Sequence, residues 1–161
     1  MKAYKPELDI VSRLNELEGK QDKIVQRPAF LVSMGATVLT AGTGVQNLVD
    51  YAGTGVNFFG TTAFDHNNNL YNGKFVAPVS GIYHFDLKLQ ITYSSGYMFS
   101  YVYVNGAPIT NVNCQFYQSA NVCTLSFTYY AKEGDYFEPH IQNNYAGGTV
   151  AAGYFSGHYV G

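Results

Sequence analysis

The sequence predicts a mostly β protein, a sandwich or jelly roll of short strands, behind one short N-terminal helix. Three observations predict it. First, the 161 residues include 15 Tyr, 11 Phe and 17 Gly, with only 12% charged residues. That composition suits half-buried strands joined by tight turns. Second, from Ala29 onward short stretches alternate apolar with polar residues and are broken by turn signals, the pattern of an all-β fold. Third, charge is unevenly placed. Residues 1–27 hold six of the nine Lys and Arg and five of the eleven Asp and Glu, leaving three basic and six acidic groups beyond. The shift near Pro28 divides the chain into a helical segment, 1–27, and a β head, 28–161. The length suits one domain with a small appendage.

Residues 1–27 read as a helix. They contain charged helix formers, no Gly before Gly19, and Pro6 where a first helical turn tolerates it. Ile10, Leu17 and Ile24 stand one heptad apart, and Leu14 and Gln21 take the other seam position. That is a short coiled-coil pattern. A helix of this length is marginal alone. Two readings follow: an amphipathic helix lying on its own domain, or a stalk shared by several copies. Tethering to an oligomeric head favours the second, because it raises the effective concentration of the helices.

In the head, His84, Asp86, Lys88 and Gln90 alternate with Phe85, Leu87, Leu89 and Ile91, a strand with one face in and one face out. Asn105-Gly106 is a hairpin signal, and 132–135, Lys-Glu-Gly-Asp, is a second turn. In "GKFVAPVSGIYHF" (73–85), Gly73 precedes the Phe75 strand, Pro78 suits an edge or bend, and Gly81 opens the strand of Tyr83 and Phe85. "AGTGV" occurs at 41–45 and 52–56 without the spacing or following helix of a phosphate loop. Two glycine turns bounding a strand pair account for it.

Along the head, "RPAF" (27–30), "FDHNNNLYNGKFVAPVSGIYHF" (64–85), "VNGAPI" (104–109), "EGDYFEPHI" (133–141) and "GYFSGHYV" (153–160) occur in order. This succession resembles the globular head of complement C1q, shared with the tumour necrosis factor-like jelly rolls. The resemblance implies a ten-strand jelly-roll sandwich that assembles as a compact homotrimer, without enzyme activity. It also implies framework roles for Phe30, Tyr71, Gly73, Phe75, Pro78, Gly81, Tyr83, Phe85, Gly134, Asp135, Phe155 and Gly157. The chain departs from the animal pattern: it has no collagen Gly-X-Y segment, and a short heptad helix stands where the stalk belongs. Some members of the family bind structural calcium, but no such ligands map onto this sequence and no other cofactor is implied.

No catalytic constellation is legible. His66, His84, His140 and His158 are scattered, and His84 and His158 alternate with aromatics on strands that turn them outward. His66 follows Asp65 in an oxygen-rich loop that supplies too few ligands for a metal. Cys114 and Cys123 flank "QFYQSANV". They are either a disulfide across a hairpin or two buried thiols. Asn67, Asn68, Asn69, Asn143 and Asn144 fall in expected loops, where Asn serves turn geometry or a polar recognition surface. Tyr93, Tyr97 and Tyr145 suit a recognition surface for glycan or protein, or the trimer axis.

A net charge of −2 gives no basic footprint for nucleic acid. No run of about 18 apolar residues inserts into a membrane, and the charged start at Met1 lacks the apolar core of a secretory signal. The expectation is a non-enzymatic trimer assembled in a host cytoplasm onto a larger particle through residues 1–27. A bacteriophage virion component is the natural example: a capsid fibre, a vertex or decoration protein, or a tail-fibre tip. The alternative is a secreted, extracellular C1q-domain protein recognising glycans or microbial surfaces.

Overall fold

The computed structural model describes residues 6–25, 27–34, 39–41, 44–48, 59, 61–71, 74–92, 97–117, 122–143 and 148–161. Helix α1 spans Pro6–Val25. Pro6 occupies its first turn, where the missing N–H is no loss. Beyond its end, Arg27 takes a left-handed φ of 38°, and Pro28 follows, a residue that cannot continue a helix.

Two six-stranded antiparallel sheets form the head. In chain order the strands are β1 (Ala29–Ser33), β2 (Leu39–Ala41), β3 (Gly44–Asn47), β4 (Thr61–Asp65), β5 (Leu70–Tyr71), β6 (Lys74–Val76), β7 (Gly81–Thr92), β8 (Tyr97–Val104), β9 (Ala107–Tyr117), β10 (Val122–Ala131), β11 (Tyr136–Asn143) and β12 (Gly148–Tyr159). Sheet A runs β10-β7-β12-β1-β4, with β2 beside β12; sheet B runs β5-β6-β11-β8-β9, with β3 beside β11. The connections β6–β7, β7–β8, β9–β10, β10–β11 and β11–β12 each change sheet, which is how a jelly roll winds. The expected sandwich is present. Its twelve strand segments exceed the expected ten because several, such as β5 and β6, are only two or three residues long.

The core fills the space between the sheets. Along β7, Tyr83, Phe85, Leu87, Leu89 and Ile91 are buried while Ile82, Lys88 and Gln90 are exposed, as the alternation predicts. Phe85 is the hub. Its ring lies 4.4 Å from Phe137, 5.4 Å from Phe127, 5.9 Å from Phe75 and 6.0 Å from Phe155, centroid to centroid. Phe30 stacks on Phe75 at 4.6 Å. These rings come from both sheets, so the aromatic cluster is the bond between layers.

Cys114 and Cys123 form a disulfide, which settles the two readings left open by the sequence. It does not cross a hairpin: Cys114 is on β9 in sheet B and Cys123 on β10 in sheet A. Both are edge strands, so the bond ties the layers together along one edge of the sandwich.

Tyr83 donates its hydroxyl to the Val79 carbonyl at 2.8 Å. Burial pushes this phenol up to about 12 from the ordinary 10.0. A proton held more tightly in the folded chain gives stability that is full below the unfolded value and lost as pH rises through the folded one. The thermal midpoint is therefore expected to hold up to pH 10 and to fall between pH 10 and 12. A Tyr83→Phe variant should fall less steeply, as followed by circular dichroism.

Candidate assembly and recognition surfaces

Two of the framework residues of the resemblance, Gly134 and Asp135, lie at one corner, while Phe30, Phe75, Tyr83, Phe85 and Phe155 are in the core. Tyr71, expected there too, is exposed because it ends a two-residue strand at the sheet edge. Asp135 accepts from Asn105 Nδ2 through Oδ1 and from the Lys132 amide through Oδ2, both at 2.8 Å. Asn105 Oδ1 in turn accepts from the Tyr136 amide at 3.0 Å. The Gly134 amide donates to the Ala77 carbonyl and Ala77 to the Asp135 carbonyl, both at 2.8 Å. Ser80 Oγ accepts from Glu133 N at 2.9 Å. The β6–β7, β8–β9 and β10–β11 connections are thus pinned to each other. Asn105 and Gly106, with φ of 51° and 79°, make the two-residue turn that their sequence signals.

This corner lies at the helix end of the head. There Pro28 accepts from the Tyr159 amide at 2.9 Å, and Gly161 from Ile82 at 2.7 Å. The Asn run is at the same end. Asp65 accepts from the Asn69 and Leu70 amides at 3.0 and 2.9 Å, and Asn69 Nδ2 donates to His66 O at 2.7 Å. Asn67 and Asn68 adopt φ of 75° and 54°. The run therefore builds the turn that carries the chain from β4 in sheet A to β5 in sheet B.

Tyr97 and Asn143 lie at the opposite end. They open β8 and close β11, where Asn143 pairs with Met98 and Tyr97 with Tyr117. Tyr97 is 41% exposed. Asn143 differs from the loop residue expected: it is a strand residue and buried. Gly73, Tyr93, Asn144, Tyr145 and the second "AGTGV" lie outside the described residues. The candidates thus divide between the two ends of the sandwich rather than forming one loop cluster.

On α1, Ile10, Val11, Leu14 and Leu17 are more than half exposed, so the helix does not bury this face against its own head. The side chains of Gln21 and Ile24 lie outside the described residues, though both positions belong to the helix. No described helix is long and apolar enough to cross a membrane.

The outer face of sheet A carries exposed Ile82, Val122 and Tyr130. Here Ser126 Oγ lies 3.2 Å from His84 Nε2, and Asp86 Oδ2 lies 3.4 Å from that same nitrogen. Ser, His and Asp are together, but a catalytic relay needs the carboxylate on the other ring nitrogen. His158 faces His84 across the β7–β12 pair at 5.4 Å. Both histidines point outward, as expected. Among the described residues no group of three or more His, Cys, Asp or Glu is placed to hold a metal ion.

The outer face of sheet B is aromatic. Tyr97, Phe99, Tyr101 and Tyr103 follow one another along β8 at centroid distances of 5.3, 5.9 and 6.5 Å. His140 stacks on Tyr103 at 3.7 Å. At the helix end the row meets the Lys74–Glu138 ion pair at 3.0 Å, and Glu138 Oε1 lies 3.5 Å from His140 Nε2. Burial pushes the Tyr101 and Tyr103 hydroxyls up from the ordinary range; for Tyr103 the Glu138 charge adds to it. Only Tyr97 of this row was singled out from the sequence. The period-two aromatics of "YMFSYVYV" (97–104) were the signal for the rest.

These two sheets, with their inter-layer aromatic core and pinned corner, define a C1q/TNF-like jelly-roll head. Among solved structures the chain is similar to the globular domain of the zebrafish complement 1qA protein, with a TM-score of 0.61 at 16% identity, covering 83% of this chain and 98% of that one. It is also similar to murine APRIL, with a TM-score of 0.61 at 11% identity over 83% and 99% of the two chains. Eiger TNF from S. frugiperda gives 0.58 at 7% identity over 84% and 93%. No protein-family model and no curated sequence matches the chain.

Proposed function

We propose that the chain is a non-enzymatic homotrimer in which residues 1–27 form a stalk and particle anchor and residues 28–161 form an outward-facing head. The observation that carries this reading is the exposed apolar face of α1. Ile10, Leu14 and Leu17 are 57%, 51% and 61% exposed in the single chain, at the heptad spacing that buries such residues between helices. The fold adds support, because the jelly rolls it resembles assemble in threes. A virion component of a bacteriophage fits best: a capsid fibre, a vertex or decoration protein, or a tail-fibre tip.

Light scattering should give three times the chain mass of 17.7 kDa; a monomer would end the proposal. Deleting residues 1–27 is expected to leave a soluble trimeric head that no longer attaches to its particle. Undiminished attachment would remove the anchor role. One observation favours the second reading, a secreted recognition protein: the Cys114–Cys123 disulfide, since such bonds persist in oxidising surroundings. Capsid or tail genes beside this one would decide for the virion.

A further inference from the structure

We propose that the outer face of sheet B binds a neutral glycan chain along Tyr97, Phe99, Tyr101 and Tyr103, with flanking amides taking the sugar hydroxyls. The strand register places those amides. Phe99 pairs with Gln115 on β9 and Gln142 on β11, and Tyr101 pairs with Asn113 on β9. Directly paired residues of an antiparallel sheet share a face, so the row of rings runs between the amides of Asn113 and Gln115 on β9 and, on β11, Gln142, His140 and Glu138. Asn113 and Gln115 are exposed. Gln142 spends its Oε1 on the Tyr101 hydroxyl at 3.1 Å and keeps its NH₂ as a donor.

The chemistry of the face selects its occupant. A sugar ring presents a C–H face, whose slight positive charge meets the negative face of an aromatic ring, and a hydroxyl edge, which planar amides serve as both donors and acceptors. The Tyr103 phenol adds a neutral donor, and the Tyr101 oxygen, its proton given to Gln142, adds an acceptor. A polyanion is disfavoured: Lys74 is the cation beside the row, and Glu138 holds it at 3.0 Å. A protein partner is disfavoured as well, because interface cores are depleted of charged groups, whereas this row is flanked by Glu138 and His140 as well as by Asn113, Gln115 and Gln142. From Tyr97 to Tyr103 the row is about 20 Å long at the strand rise, room for a short oligosaccharide.

The inference rests on the reading of the head as an outward recognition module, and the two fail separately. Particle attachment and trimer mass test the module, while the experiment here reads sugar binding alone. The full chain is run in native gels containing dextran, galactomannan, hydroxyethyl cellulose or, as the anionic control, heparin. The expected result is retardation by at least one neutral polymer. Binding should weaken roughly tenfold in Phe99→Ala and in Tyr101→Ala, the loss of one aromatic stacking contact. Tyr130→Ala on sheet A should bind as the parent does. Should either row variant unfold by circular dichroism, Gln115→Ala and Tyr97→Ala at exposed positions carry the same test. The chain has no Trp, so Tyr97→Trp adds a single indole whose emission should shift on binding. Any of four results overturns the proposal: no retardation by any neutral polymer, equal retardation of parent and row variants, retardation by heparin alone, or a lower assembly mass for Phe99→Ala, which would assign the face to a second copy of the chain.

Discussion

Phe85→Ala is expected to leave little or no folded head at 37 °C. Phe85 is fully buried and its ring meets those of Phe30, Phe75, Tyr83, Phe127, Phe137 and Phe155. Those neighbours lie in both sheets and cannot collapse onto a cavity without moving a layer. Phe-to-Ala changes in such cores cost about 3–5 kcal/mol, against a total stability on the order of 5–15 kcal/mol for a domain. Urea unfolding followed by circular dichroism measures it. A loss under about 1 kcal/mol, the size of an average substitution, would mean that the cluster is not the bond between the layers.

Gly157→Val is the second large effect. A Cβ at Gly157 would lie 2.7 Å from Phe30 Cε1 and 2.7 Å from Phe85 Cδ1. Both rings are fixed: Phe30 by its stack on Phe75 and its edge contact with Phe155 at 5.0 Å, Phe85 by the hub. Neither has a free direction in which to retreat, so β12 must shift away from β1 and β7. Overpacking of this kind costs about 1–3 kcal/mol or more, and the branched valine enlarges it. Ser156→Val, one residue away and on the opposite face, should cost under about 1 kcal/mol. Equal losses in the two variants would refute the close-approach account of Gly157.

The contrast between these residues shows what the sequence made legible. The alternation through β7 was readable because burial on one face and solvent on the other leave a period of two. The helix at 6–25 was readable from its helix formers and Pro6, and the Asn105-Gly106 turn from residues that tolerate left-handed backbone. Tertiary facts were not. Asp135 looks like an ordinary turn residue, and nothing local says that it pins Asn105 thirty residues away. Cys114 and Cys123 suggested a hairpin because nine residues separate them, yet the chain changes sheet in between. Asn143 has the composition of a loop residue but ends a strand that both neighbours bury. The aromatic row of β8 was written in plain period two, but which face of which sheet it would occupy depends on pairing with β9 and β11. Such pairings are set by contacts far apart in sequence, so local patterns do not encode them.

The shared location of Pro28 and the Tyr159–Gly161 segment has a practical consequence for imaging. A gold or fluorescent label joined after Gly161 marks the base of the head beside the helix, not its tip. A label placed between Tyr117 and Val122 marks the far end, because those residues pair with Tyr97 and Gln90. Two such labels on one chain give its direction on whatever it decorates, so a single micrograph distinguishes a head pointing away from its support from one lying on its side.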